Sequence, residues 1–145
     1  MIVFCDLSVN LIEKASAENL PNVVAVCGDI FSFTGVIVSA SNPHWGFEGG
    51  LDGEIAKHYM KECAAKQEAY SLGNYENQRI GNVIFTITVR TDLKATPELV
   101  RRAVRFALDN HKPEEALLLS GLGCGIGGLD HDVFVEILRD ELTSK

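Results

Sequence analysis

Five short, nearly uninterrupted apolar runs alternate with stretches of helical periodicity along the whole chain, and few architectures accommodate that rhythm. The runs are IVFC (2–5), NVVAVCGDI (22–30), TGVIVSAS (34–41), RIGNVIFTITV (79–89) and EALLLSG (115–121). Continuous Val, Ile and Leu without polar alternation predicts strands covered on both faces, as in parallel or mixed sheets. Between them, residues 8–19 carry helical spacing behind Ser8 as N-cap, and residues 52–70 read as one helix with Ile55, Tyr59, Met60 and Cys63 on one side. Residues 96–112 form the clearest helix, with Thr96 as N-cap and Pro97 at the first position. A terminal helix capped by Asp130 closes the chain. The expectation is one α/β domain over 1–145, a mixed and mostly parallel sheet with helices on both faces.

At 145 residues with 46% hydrophobic content, the chain has enough apolar surface for one core and little room for two. A net charge of −7 argues against a protein that holds long nucleic acid stably, because such proteins displace counterions with a basic patch. It leaves room for a nucleotide-sized ligand, since neutral backbone N–H groups bind phosphate without net positive charge. The opening MIVFCDLSVN lacks the pattern of a secretory signal, and no stretch approaches the ~20 apolar residues of a membrane span. The expected location is the cytoplasm. Cys5, Cys27, Cys63 and Cys124 form no C-x-x-C pair and read as reduced structural thiols.

Two glycine-rich loops carry the chemistry. GFEGGLDGEI (46–55) runs into a helix. In that loop Gly49, Gly50 and Gly53 either shape a tight turn or open the backbone to a ligand, and Asp52 either favours the helix N-terminus or reaches a site. SGLGCGIGG (120–128) spends five glycines in nine residues directly after a strand, an entropic cost that a loop approaching a ligand requires. Gly123, Gly125 and Gly128 satisfy G-x-G-x-x-G, yet a dinucleotide fingerprint opens a βαβ unit with an acidic residue ~20 positions on, and here only a terminal helix remains. No phosphate-loop G-x-x-x-x-G-K-[ST] occurs. Asn42 in SASNPHW reads first as a turn former, and beside Asp52 it would pair an amide with a carboxylate able to hold a sugar hydroxyl or orient a water. Asp29 reads as a cap. His44, Trp45 and Phe47 either wall a pocket or pack on the sheet, and His58, His111 and His131 read as surface residues. Cys124 has no base in view.

Taken together, GDI after a strand, VIVSASNP as the next strand and its exit, GGLDGEI opening a helix, and SGLGCGIGGLD near the end resemble the macro domain family, in order and over nearly the whole chain. The resemblance is strongest to small stand-alone bacterial and phage members. It implies a three-layer α/β fold that binds ADP-ribose, in some members with hydrolysis of an ADP-ribosyl linkage or of ADP-ribose 1''-phosphate, and in others as a reader or sequestering module. It implies no cofactor and no metal. By the same resemblance Asp29 would accept from the adenine amino group and the Ile30 amide would touch the ring. Asn42 would hold the distal ribose. Gly50, Leu51, Asp52 and Gly53 would cradle one phosphate, and Ser120, Gly121, Leu122, Gly123, Cys124, Gly125 and Ile126 the other. Asn42 and Asp52 would be the catalytic pair. Ser39 stands where many members carry a first Asn. Members with a loop like GCGIGGLD use a lysine nucleophile, for which Lys94 or Arg90 is the nearby basic residue.

Overall fold

In the computed structural model, which describes residues 1–47 and 50–144, the elements run β1 (Ile2–Asp6), α1 (Val9–Ala17), β2 (Val23–Cys27), a 3₁₀ turn (Ile30–Ser32), β3 (Val36–Ser41), α2 (Gly50–His58) and α3 (Met60–Ser71). They continue with β4 (Gln78–Ile80), β5 (Val83–Ile87), α4 (Pro97–Asp109), β6 (Leu117–Leu119) and α5 (His131–Thr143). One six-stranded sheet has the order β2-β1-β6-β3-β5-β4. Every pairing is parallel except β4 with β5. The last strand therefore fills the gap between the first and the third.

Alternation along the strands divides the interior in two. Ile2, Phe4, Val36, Val38, Ile84, Leu117 and Leu119 pack with α1, α4 and α5 on one face. Val3, Cys5, Ile37, Val83, Phe85 and Leu118 pack on the other with Ile30, Trp45, Phe47, Ile55 and Cys63. These are the three expected layers. The caps fall where the sequence places them: Ser8 Oγ accepts from Leu11 N–H, Thr96 Oγ1 from Leu99 N–H, and an Asp130 carboxylate oxygen from Asp132 N–H.

Two expectations change. The run 79–89 is not one strand but the hairpin β4–β5, with Ile80 paired to Val83 across Gly81–Asn82. Gly81 has φ +58°, the left-handed conformation that two-residue hairpin links demand. The helix expected over 52–70 is two, α2 and α3, broken at Tyr59 with φ −131°. The bonds Tyr59 N–H to Ile55 O (2.8 Å) and Cys63 N–H to Tyr59 O (3.0 Å) persist, so the break is a kink. It leaves Met60, expected on the packed side, exposed.

Candidate functional site

In open sheets of this kind ligands settle outside the carboxyl ends of the strands, near where the strand order reverses. Here β1, β6 and β3 end side by side, and both glycine loops leave from that edge. Asp6, at the end of β1, ties the start of α1 to the second glycine loop and was missed in the sequence. One carboxylate oxygen accepts from Ser8 N–H and the other from Gly121 N–H, both at 2.9 Å. A lone Asp at a strand end gives no local sign of a partner 115 residues away.

The glycines of the second loop divide by what a side chain would meet. A Cβ on Gly121 would strike the Leu11 side chain. Gly123 has φ +79°, and its Cβ would come within 2.9 Å of Val100 and 3.0 Å of Ala95. A Cβ on Gly127 would come within 2.8 Å of Val89. Packing explains these three. Gly125 has ordinary φ, is exposed, and its Cβ would meet nothing within 4 Å, so nothing inside the fold calls for glycine there. The N–H groups of Gly125 and Ile126 have no hydrogen-bond partner among the described residues. Ile126 is 83% exposed and Ser120 and Leu122 are buried. Burial pushes the Cys124 thiol up to about 12, helped by Asp6 and Asp130, which keeps it protonated and removes it as a nucleophile.

Across the same edge, exposed Asp29 caps the 3₁₀ turn, accepting from Phe31 N–H at 2.9 Å, and its second carboxylate oxygen has no hydrogen-bond partner among the described residues. The Ile30 side chain is buried, and its N–H finds no partner among the described residues. Gly28, just before, also has open space at its Cβ position. Both functions read for Asp29, cap and acceptor, fit one carboxylate.

The first glycine loop enters α2 at Gly50, with φ +57°. Glu48 and Gly49 lie outside the described residues. Asp52, one turn in, is 8% exposed. Its carboxylate turns down onto the sheet, where Ser39 Oγ donates to Oδ1 at 2.7 Å. Burial raises the Asp52 carboxyl to about 6, against the downward pull of Ser39 and Ser41. Ser41 Oγ, fully enclosed, completes no hydrogen bond of good geometry among the described residues. Asn42 does not share a bond with Asp52 there. Its Oδ1 accepts from His44 N–H at 2.9 Å and its backbone O from Trp45 N–H at 3.1 Å, so it makes the turn that the Asn-Pro step foretells. Its Nδ2 stays uncommitted among the described residues.

Trp45 and Phe47 are core, not pocket wall: Trp45 is 0% and Phe47 7% exposed, both against Phe85. They adopt φ +56° and +53°. For aromatic residues this left-handed conformation costs about 1–3 kcal/mol each and persists only where the surroundings enforce it. His58 stacks on Phe31 at 4.3 Å, His111 contacts the Ala107 carbonyl, and His131 contacts Asn10, so each has a partner at the surface. Arg90 pairs with Asp92 in an exposed loop, and Lys94 is exposed beside it. That loop joins the second glycine loop through Ala95 N–H to Gly127 O.

A cleft of about 440 Å³ opens elsewhere, between α4 and the segment around Tyr75–Asn77. Its two arginines are already paired, Arg102 with Glu98 and Arg105 with Glu141, and no glycine lines it, so the glycine-rich loops direct attention to the strand ends instead. Among the described residues no cluster of His, Cys, Asp and Glu could hold a metal ion, and no helix is long and apolar enough to cross a membrane.

No protein-family model and no curated protein matches this sequence. Solved structures do match its fold. The macrodomain of Mycobacterium tuberculosis DarG aligns with a TM-score of 0.72 over 99% of this chain and 91% of its own, at 14% identity. Thermosipho africanus DarTG in complex with ADP-ribose aligns with 0.66 over 83% of this chain, at 17% identity, and this match spans 38% of that longer chain. A Bacteroides thetaiotaomicron protein of unknown function aligns with 0.65 over 81% of this chain and 88% of its own, at 22% identity. With a mixed, mostly parallel six-stranded sheet between two helical layers, the architecture of this protein is that of a macrodomain.

Proposed function

We propose that the protein binds ADP-ribose or a close derivative along the carboxyl edge of the sheet. The observation that carries this reading is Gly125: a glycine that the fold does not need, facing open space, with its own amide and that of Ile126 unclaimed among the described residues. Such a loop suits an anion that must come close to the backbone. The fold shared with a chain solved in complex with ADP-ribose supports the choice of ligand. In this reading the Gly50–Gly53 amides, at the positive end of α2, and the Ser120–Ile126 loop hold the two phosphates. Asp29 accepts from the adenine amino group through its second carboxylate oxygen, the Ile30 amide meets the ring, and Asn42 Nδ2 donates to the distal ribose. The ligand belongs to a cytoplasmic pool of free or linked ADP-ribose, and the net charge of −7 argues against stable binding of long nucleic acid.

Calorimetric titration with ADP-ribose tests it. Saturable binding that Gly125→Ala weakens at least tenfold, with thermal stability unchanged, is the expected result. Wild-type protein that takes up no ADP-ribose defeats the reading.

Binding without turnover is the primary reading, because the Asp52 carboxylate is turned into the sheet toward Ser39. One observation favours hydrolysis as a second: a carboxyl at about 6 sits near the working pH of a general acid or base. Were Asn42 to fix the distal ribose and Asp52 to take a proton from a water, an ADP-ribosyl ester would be cleaved, and Asp52→Ala would abolish product while sparing affinity. Incubation with an ADP-ribosylated peptide or ADP-ribose 1''-phosphate, with product followed by mass spectrometry, separates the two.

A further inference from the structure

Lys66 on α3 is 0% exposed, an uncommon position for an ammonium. It donates to the Glu76 carbonyl at 2.7 Å and to Gln78 Oε1 at 2.9 Å, and its Nζ stands 4.5 Å from the centre of the Trp45 ring. Two of its three N–H groups meet oxygen, and the Trp45 face takes the remaining charge. Tethering α3 to β4 requires only the first two contacts, and an apolar side chain would fill the space without desolvation, which holds the Lys66 pKa below its usual value. Something else profits from the cation.

Four observations point to Trp45. Its backbone is left-handed. Its Nε1 is buried without a hydrogen-bond partner among the described residues. Its carbonyl accepts from Gln67 Nε2 at 3.2 Å, one residue beyond Lys66. Its N–H donates to the backbone of Asn42, which in turn holds His44. Conformation and solvation both oppose the placing of this indole, and α3 supplies what opposes them. We infer that Lys66 is a positioning residue for the ligand site: its ammonium pins Trp45 inward, and the 42–45 turn, hydrogen-bonded to Trp45, presents the Asn42 amide to the distal ribose. The role rests on the reading of the site given above.

Trp45 is the sole tryptophan, so its emission reports the pin with no ligand present. Lys66→Met retains length and apolar packing while removing the charge. The expected result is red-shifted emission, acrylamide quenching raised at least twofold, and ADP-ribose affinity lowered about tenfold. AMP, which reaches the Asp29 end and not the distal ribose, should bind Lys66→Met within twofold of wild type. Lys66→Arg, which still places a cation over the ring, should restore both emission and affinity. Unchanged emission and quenching in Lys66→Met would overturn the inference, as would equal losses of AMP and ADP-ribose, which mark general damage. Should Lys66→Met fail to fold, Gln67→Ala frees the Trp45 carbonyl alone and must raise quenching and weaken ADP-ribose by about threefold; no change in either overturns the pin. Wild-type protein that binds no ADP-ribose sinks the functional reading instead, and the quenching data then decide the pin alone.

Discussion

A carboxyl raised by burial carries a stability signature of definite sign. Asp52 stands at about 6 in the fold against 3.8 in the open chain, so between those values the native state holds the extra proton and stability falls as pH rises. Above pH 7 the whole cost is present, on the order of 3 kcal/mol. Asp52→Asn keeps an acceptor for Ser39 and sheds the charge. It should melt higher than wild type at pH 8 and lose that advantage by pH 4; thermal denaturation at the two pH values reads it directly, and an advantage independent of pH would refute it. The two glycines of the second loop should separate in the same assay. Gly123→Ala meets Val100 and Ala95 from a left-handed backbone and should cost about 2 kcal/mol of stability, whereas Gly125→Ala should cost nothing measurable while losing ligand.

At the scale of elements, α4 and α5 are joined at one buried acid. Glu141 is 4% exposed and receives Arg105 at 2.7 Å and Arg101 at 3.3 Å, and those guanidinium hydrogen bonds hold its carboxyl below the usual range. A depressed carboxyl stabilises the fold above its unfolded pKa, and that stability is lost as pH falls through the folded one. Glu141→Gln should cost roughly 2 kcal/mol at pH 7, with the difference from wild type shrinking in acid; urea unfolding at pH 7 and pH 3 checks both. Neither arginine advertised this pairing in the sequence. What was legible was periodic or capped: the α4 stripe expected from Leu99, Val100, Ala103, Val104, Ala107 and Leu108, all buried but the half-buried Leu99, the apolar strands, and the caps Ser8, Thr96 and Asp130. The β4–β5 hairpin was also written there, as Gly81–Asn82 between strand-forming residues, but an apolar run hid the turn. The kink at Tyr59 has no Gly or Pro to announce it. In the site, the glycine loops stood out by composition, while Asp6, Lys66 and the bond from Ser39 to Asp52 did not, because each depends on a partner brought near only by tertiary structure.

For the molecule as a whole, charge sets an unusual expectation. A chain at −7 that takes an anionic ligand repels it at long range, and salt screens that repulsion. The association rate for ADP-ribose should therefore rise, or at least hold, between 0.05 and 0.3 M salt, opposite to a basic nucleic-acid binder; stopped-flow with Trp45 emission measures it, and a steep fall would expose a hidden cationic funnel. At a ligand concentration of 100 Kd, the protein should gain about 2.7 kcal/mol of stability and unfold in one transition, as expected if residues 1–145 are one cooperative unit. The sheet order bears on how such a unit comes into being. Because β6 lies between β1 and β3, a chain emerging from the ribosome displays both halves of its sheet with the centre absent, and Asp6 waits for the Gly121 amide until the 115 residues that separate them have been made. On the proposed reading, ADP-ribose recognition is thus withheld from any copy that ends before the second glycine loop, which would hold one of the two phosphates.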